Sequence, residues 1–211
     1  KMEISPEINC RKMGDGDKQS FCMKIKIRDT TYEVEEDQYK SFWDDLNLGL
    51  WEPQTFQILD QFVSAGDIVL DLGAWIGPVT LYAAHRASEV YAVEPDPHAF
   101  TALENNIRVN PALKSKIKLF RLGISDKNEE LILYAREIYG ASSSSLLPRI
   151  RDRLNTLVIK GVSIHEFIDS VHIPTVDFIK IDIEGGEFKL LPAMANELKK
   201  LKFPTLYLSF H

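Results

Sequence analysis

The run Asp177-Phe178-Ile179-Lys180-Ile181-Asp182-Ile183-Glu184-Gly185-Gly186-Glu187 constrains this chain more than any other segment. It reads as an apolar strand that breaks into a loop carrying three carboxylates and two glycines. An ordinary buried strand would finish in solvent-facing turn residues. Acid groups crowded at a strand's carboxyl end stand where open α/β sheets hold their ligands. Together with a glycine turn at Asp71 to Gly77, they point to a small-molecule transferase rather than an inert globular domain.

From Ser64 onward, strand and helix patterns alternate, which implies a Rossmann-like, doubly wound and mostly parallel α/β sheet covered on both faces. Ile68 to Leu72 is the first strand, and Pro78 opens a helix where its missing N–H goes unneeded. Val90 to Val93 is the second strand, ending at Glu94-Pro95, with Asp96 as the N-cap of a helix whose face carries Phe100, Leu103 and Ile107. A third strand spans Ile117 to Leu122 and is closed by Gly123 to Asp126. Leu131 to Tyr134 and Leu157 to Lys160 form a hairpin around the polar loop Gly140 to Ser145.

Ser163 and Glu166 make a capping box for a short helix that must end before Pro174. The helix after the acidic strand shows a stripe of Phe188, Leu191, Met194 and Leu198, and Leu206 to Phe210 is the last strand. Ahead of this pattern, Phe21 to Ile27 and Tyr32 to Val34 suggest a β-hairpin. Tyr39, Phe42, Trp43 and Leu46 suggest an amphipathic helix, and Phe56, Leu59, Phe62 and Val63 a second helical stripe. Residues 1–50 therefore read as an N-terminal extension and 51–211 as the main domain. The chain opens on Lys1 rather than Met and stops just after a strand, so it is expected to be incomplete, without its last strands.

The chain's 211 residues, 45% hydrophobic, suffice for one ordinary core. Its net charge of -6 weighs against nucleic acid as a partner, since phosphate binding needs clustered cations. The one basic run, Arg149 to Arg153, reads as a solvated face. Cys10 and Cys22 read as isolated thiols of a reducing compartment rather than as a pair. No apolar run approaches the ~20 residues of a membrane span, and no signal peptide opens the chain. A soluble, cytoplasmic protein is the expectation.

Asp71-Leu72-Gly73-Ala74-Trp75-Ile76-Gly77 sits where a first βα turn belongs. A dinucleotide turn wants a middle glycine against the pyrophosphate; Trp75 holds that position and Pro78 the last one. S-adenosylmethionine carries no phosphate. It needs a glycine-rich turn for its methionine portion and an acid for its ribose hydroxyls. Glu94, at the end of the second strand, supplies that acid. The acid alone would serve NAD equally; the interrupted phosphate turn favours the sulfonium donor. Ser125 and Asp126 fall near the adenine on this reading, although Ser-Asp is also ordinary turn chemistry. The less favoured reading is that Gly73 and Gly77 do no more than permit a tight corner.

Three blocks of the sequence resemble the FkbM-type methyltransferases, within the class I S-adenosylmethionine-dependent group. They are Trp51 to Thr55, Asp71 to Gly77 and, most specifically, Val176 to Leu191; Val90 to Pro97 fits as well. The resemblance runs from about Trp51 to His211. It implies a seven-stranded doubly wound sheet, S-adenosylmethionine as donor, and O-methylation of a small hydroxylated acceptor such as a sugar. It carries the donor site to Asp71, Gly73, Gly77 and Glu94, and the acceptor side to Asp182 and Glu184. Trp75 departs from the small or polar residue usual at its position.

A sugar hydroxyl is a poor nucleophile at neutral pH, so a base or a metal must help remove its proton. Asp182 is the candidate base, and Glu184, two residues on, points the same way along an extended backbone. The two could instead share a divalent cation, an alternative that is not favoured. Glu184 and Glu187 also suit a purely structural role at the start of the next helix. Lys180 reads as a partner for Asp182, and His211 as a strand-end group able to reach the acceptor. Glu52 would close over the donor or simply enter a helix beside Pro53, and the loop Gly140 to Ser145 would cover the acceptor pocket or form a bare hairpin tip. The competing readings are an N-methyltransferase acting on RNA or protein, and a binding module whose donor pocket has decayed around Trp75.

Overall fold

A computed structural model of the chain describes residues 8–10, 20–135, 140 and 156–209. The elements before the first parallel strand are β1 (Ile8–Cys10), β2 (Ser20–Ile27), β3 (Thr30–Glu35), α1 (Lys40–Asn47) and α2 (Pro53–Phe62). Then follow β4 (Ile68–Leu72), α3 (Pro78–Arg86), β5 (Glu89–Val93), α4 (Pro97–Arg108), α5 (Pro111–Lys114) and β6 (Ile117–Phe120). The remainder is β7 (Gly123–Ser125), β8 (Glu129–Tyr134), β9 (Thr156–Ser163), α6 (Ile164–Val171), β10 (Phe178–Ile181), α7 (Glu187–Lys200) and β11 (Thr205–Leu208).

Five strands form the central sheet in the order β11-β10-β4-β5-β6, and every pairing is parallel. Chain order runs outward from β4 through β5 to β6, then crosses back to β10 and β11 on the other side. The direction of winding therefore reverses between β4 and β10, and ligands of open α/β sheets bind in the crevice at such a reversal.

The strands are apolar on both faces because both faces are covered. Along β4, Val69 enters one buried cluster and Leu70 and Leu72 the other; Val90 and Ala92 of β5 alternate with Tyr91 and Val93 in the same way. The first cluster is roofed by α2, α3 and α4, and the second by α6 and α7. Asp71 lies between Leu70 and Leu72, on the face that packs against α3.

Asp96 caps α4 as expected, its carboxylate accepting from the amides of His98 and Ala99, and Phe100, Leu103 and Ile107 are buried. Ser163 caps α6 by accepting the Glu166 amide, but Asn128 rather than Glu166 takes the Ser163 N–H, so the capping box is half built. Gly123 to Ser125, expected to be only a turn, forms β7 and pairs in parallel with β9, which pairs antiparallel with β8. The stripe expected on α7 holds at Met194, and at Leu191 and Leu198, which pack partly buried on the second cluster, but not at Phe188. Leu190 and Met194 are buried whereas Phe188 is 71% exposed, because the helix begins at Glu187 and turns that side inward.

The N-terminal hairpin β2–β3 and α1 are built into the first cluster through Ile25, Tyr32, Val34, Trp43 and Leu46. Asn106 fastens the hairpin to the sheet: its side chain accepts the Glu35 amide at 2.9 Å and donates to the carbonyl of Ile76 at 2.9 Å. Cys22 is disulfide-bonded, which corrects the reading of two isolated thiols. Disulfides persist in oxidising compartments, so the cytoplasmic expectation loses the support it took from free thiols. Among the described residues, no helix is long and apolar enough to cross a membrane.

Candidate functional site

The turn after β4 is held by its own amides. Gly73 and Ala74 both donate to the carbonyl of Val93 at 3.0 Å, which hooks the turn over the end of β5. Gly73 (φ 82°), Trp75 (φ 50°) and Gly77 (φ 97°) adopt left-handed backbone, a conformation that favours glycine. At Gly73 the need is doubled. A Cβ there would lie 2.8 Å from the carbonyl carbon of Asp182 and closer still to its oxygen. The missing side chain is thus what lets the glycine turn and the acidic loop touch.

Glu94 is held by the same corner. Its Oε2 accepts the Trp75 amide and its Oε1 the Asp96 amide, each at 2.8 Å. Burial pushes its pKa up to about 7 from an ordinary 4.5, against the opposing pull of those two N–H groups; the Asp96 charge adds to the rise and Lys180 offsets part of it.

Asp71 and Lys180 are direct partners across β4 and β10. Asp71 is fully buried, and its Oδ2 accepts from Thr80 Oγ1 at 2.6 Å. Lys180 Nζ donates to the carbonyl of Gly73 at 2.9 Å and lies 3.6 Å from Asp71 Oδ1 and 3.4 Å from Asp182 Oδ2. Burial works against its charge, but Asp71 and Asp182 outweigh burial and leave its pKa raised. The strand therefore delivers the Lys180–Asp182 pairing that the sequence suggested.

Beyond β10 the backbone is not extended. It turns left-handed at Glu184 (φ 54°) and Gly185 (φ 100°), which corrects the assumed route by which Glu184 follows Asp182. Glu187 imposes this turn: its carboxylate accepts the amides of Ile183 at 2.8 Å and Gly185 at 2.9 Å, and it is fully buried. Of the two roles considered for Glu187, the structural one is what the geometry shows.

These groups meet around one cleft of about 990 Å3, its open mouth included. Glu52, Gly73, Trp75, Glu94, Lys180, Asp182 and Glu184 line it; Leu72, Val93, Ile124 and Leu133 give it an apolar floor. Trp75 stands in the wall rather than across the hollow. Its indole N–H donates to the carbonyl of Gly140 at 2.7 Å, and Phe42 and Tyr39 pack edge-on against its ring at 4.4 and 5.7 Å between centroids. Glu52 Oε2 accepts from Thr55 Oγ1, which also bonds Tyr207 of β11 at 2.8 Å.

Of the residues expected to hold the donor, Glu52, Gly73 and Glu94 reach the cleft. Asp71 lies beneath it and Gly77 behind it, at the start of α3. Ser125 and Asp126 bond each other at 3.0 Å, while their neighbours Gly123 and Ile124 form the lining. His211 and the loop 141–155, with its basic run, fall outside the described residues.

Sequence reasoning named Gly140 only as the start of a loop over the pocket and missed its anchoring role: its carbonyl accepts from Trp75 and Tyr39 and its amide donates to Asp96 Oδ2. Its role depends on chain crossings that leave no local pattern. Among the described residues, the one group of three or more His and acids close enough to share an ion is His165, Asp169 and Glu197 on α6 and α7.

A parallel sheet wound this way, with a glycine turn and an acid-lined cleft at its reversal, defines a Rossmann-like α/β fold. The chain belongs to the FkbM methyltransferase family: the Methyltransferase FkbM domain matches residues 71–211. It is 24% identical over 152 residues to the hexuronic acid methyltransferase AglP of Haloferax volcanii, covering 72% of this chain and 60% of that protein. It is 29% identical over 119 residues to a putative ribosomal RNA large subunit methyltransferase of Methanocaldococcus jannaschii, covering 56% of this chain and 29% of that one.

Among solved structures, the methyltransferase FkbM from Methylobacillus flagellatus matches with a TM-score of 0.48 and 19% identity, over 82% of this chain and 44% of that one. The chain thus spans less than two thirds of the length of each of these relatives.

Proposed function

We propose that the chain transfers a methyl group from S-adenosylmethionine to a hydroxyl of a small metabolite or sugar. The observation that carries this reading is the charge of the cleft. Among the described residues, Glu52, Glu94, Asp182 and Glu184 line it against the one ammonium of Lys180, which is itself occupied. Such a lining suits a donor bearing a sulfonium and an ammonium and repels a pyrophosphate. The Gly73 turn supports the same donor in another way: it lies on the cleft wall, and its missing side chain lets the acidic loop close against it.

When bound, the donor supplies an electrophilic methyl group on sulfur. The chain's residues do the rest, and in an in-line displacement that is mostly positioning. Glu94 holds the ribose hydroxyls on the lone pairs left free by its two backbone amides. Gly73 and Trp75 frame the methionine portion, with Glu52 opposite. Asp182 takes the proton from the acceptor hydroxyl, and Glu184 orients that hydroxyl. Asp71 and Gly77 act one layer back, through Lys180 and the start of α3, and Ser125 and Asp126 behind the wall at Ile124. A divalent cation shared by Asp182 and Glu184 is the less favoured route to the same deprotonation.

The relatives whose names specify RNA substrates support a second reading, N-methylation of RNA, and one experiment separates the two. Methyl-labelled donor is supplied with a panel of sugars and small hydroxylated metabolites, total tRNA and rRNA, with and without chelator. Transfer to a hydroxyl, unaffected by chelator and abolished in Asp182→Asn while donor binding persists, is the expected result. Label confined to a base nitrogen of RNA would replace this reading with the second one.

A further inference from the structure

The central cation of the cleft is buried where a substrate-binding lysine would be exposed. Lys180 is 4% exposed, and its Nζ is shared among three groups from three different segments. The Gly73 carbonyl, 2.9 Å away, belongs to the donor turn; Asp182, at 3.4 Å, to the acidic loop; and Asp71, at 3.6 Å, to β4 beneath both. Glu52 also faces it, and Glu94 feels its charge from the end of β5.

Asp71 Oδ1 makes no hydrogen bond, so Lys180 is its nearest countercharge. A buried ammonium is costly unless its geometry and hydrogen bonds are complete. One surrounded in this way resists being turned toward a ligand.

From this juxtaposition we infer that Lys180 is a positioning residue that ties the glycine turn to the acidic loop, and so sets the distance between donor and base. The inference rests on the reading above, in which Gly73 belongs to the donor side and Asp182 to the acceptor side. The side chain works as a fixed strut. Its ammonium bonds the Gly73 carbonyl and pairs with the Asp182 carboxylate, bracing the place where the two backbones meet directly. The two backbones are also tied to the sheet from below, by the Gly73 amide on Val93 and the Asp182 amide on Leu72. Those amides are reporters of the strut that need no ligand.

Lys180→Met alone would leave Asp71 buried without its countercharge and could unfold the protein, so the test pairs it with Asp71→Asn. In the double variant the Gly73 and Asp182 amides are expected to exchange with solvent together, about tenfold faster than in the native protein, while amides of β6 keep their protection. Its kcat should fall about 100-fold, the scale set by a 1 Å misplacement of reacting groups, with acceptor KM changed far less.

Lys180→Arg keeps the charge, and its folding does not depend on a compensating change. It should loosen both amides by about threefold, because the planar guanidinium cannot occupy the compact ammonium's place. Native exchange at either amide in both variants, or a kcat within about threefold of native in the double variant, overturns the inference. If the native protein binds no S-adenosylhomocysteine while the two amides still loosen together, the donor reading fails and the strut stands.

Discussion

Gly73 and Asp182 meet without a side chain between them: a Cβ on Gly73 would overlap the Asp182 carbonyl, and Gly73 is also at φ 82°. One position thus joins the two segments that carry most of the site, the turn after β4 and the loop after β10. Parallel strands bring their carboxyl ends together by geometry, and only a glycine lets the backbones beyond those ends approach further.

Gly73→Ala should accordingly fail on two grounds, a left-handed backbone and an overlap with backbone that has no rotamer to yield. The expected cost is roughly 2–4 kcal/mol of stability, the lower part from the conformation alone. Thermal unfolding together with donor titration checks this. A variant with native Tm and native donor affinity would show that the close approach is not required.

Glu94 gives a pH signature with opposite signs for stability and for donor binding. Its folded pKa of about 7 lies above the ordinary 4.5 because the group is buried. Between those values the folded protein holds a proton that the unfolded chain releases. The stability linked to this group is therefore complete below about pH 4.5 and lost as pH rises through about 7, by about 3 kcal/mol in all. Accepting ribose hydroxyls favours the ionised form, so donor affinity should strengthen over the same rise. Denaturant titrations at pH 5 and 8, with Glu94→Gln as the flat control, test the sign; an identical slope in the two proteins would contradict it.

Glu187 holds the acidic loop rather than the acceptor. Glu187→Ala leaves the amides of Ile183 and Gly185 without their acceptor in a buried place, which costs about 1–3 kcal/mol for each such group. Turnover should fall along with stability, and Glu187→Gln, which keeps one acceptor oxygen, should lie between. Full activity in Glu187→Ala at a temperature where it remains folded would separate the loop's shape from the chemistry.

The architecture was largely legible because its signals are local. Apolar runs ending in glycine or acid marked β4, β5 and β10, and the Asp96 cap and the spacing of Phe100, Leu103 and Ile107 marked α4. That Glu94 and Asp182 line the cleft was legible because position at a strand's end is readable along the chain. What escaped depends on contacts between distant segments.

Asp71 reads as a site residue by position, yet its alternation along β4 turns it under the cleft toward Thr80. Gly140 offers only a carbonyl and an amide, and its partners Tyr39, Trp75 and Asp96 come from three other places in the chain. Trp75 looked like damage to a pocket because its neighbours Phe42 and Tyr39, which make it a wall, lie more than thirty residues earlier. The Cys22 disulfide was misjudged because two cysteines alone do not announce a pairing.

The most direct measurement is calorimetric titration of the protein with S-adenosylhomocysteine and, separately, with NAD. The cleft described above predicts one-to-one binding of the first in the micromolar range, weakened at least about tenfold by Glu94→Ala, and no binding of the second. Saturable binding of NAD, or S-adenosylhomocysteine affinity indifferent to Glu94, would contradict it.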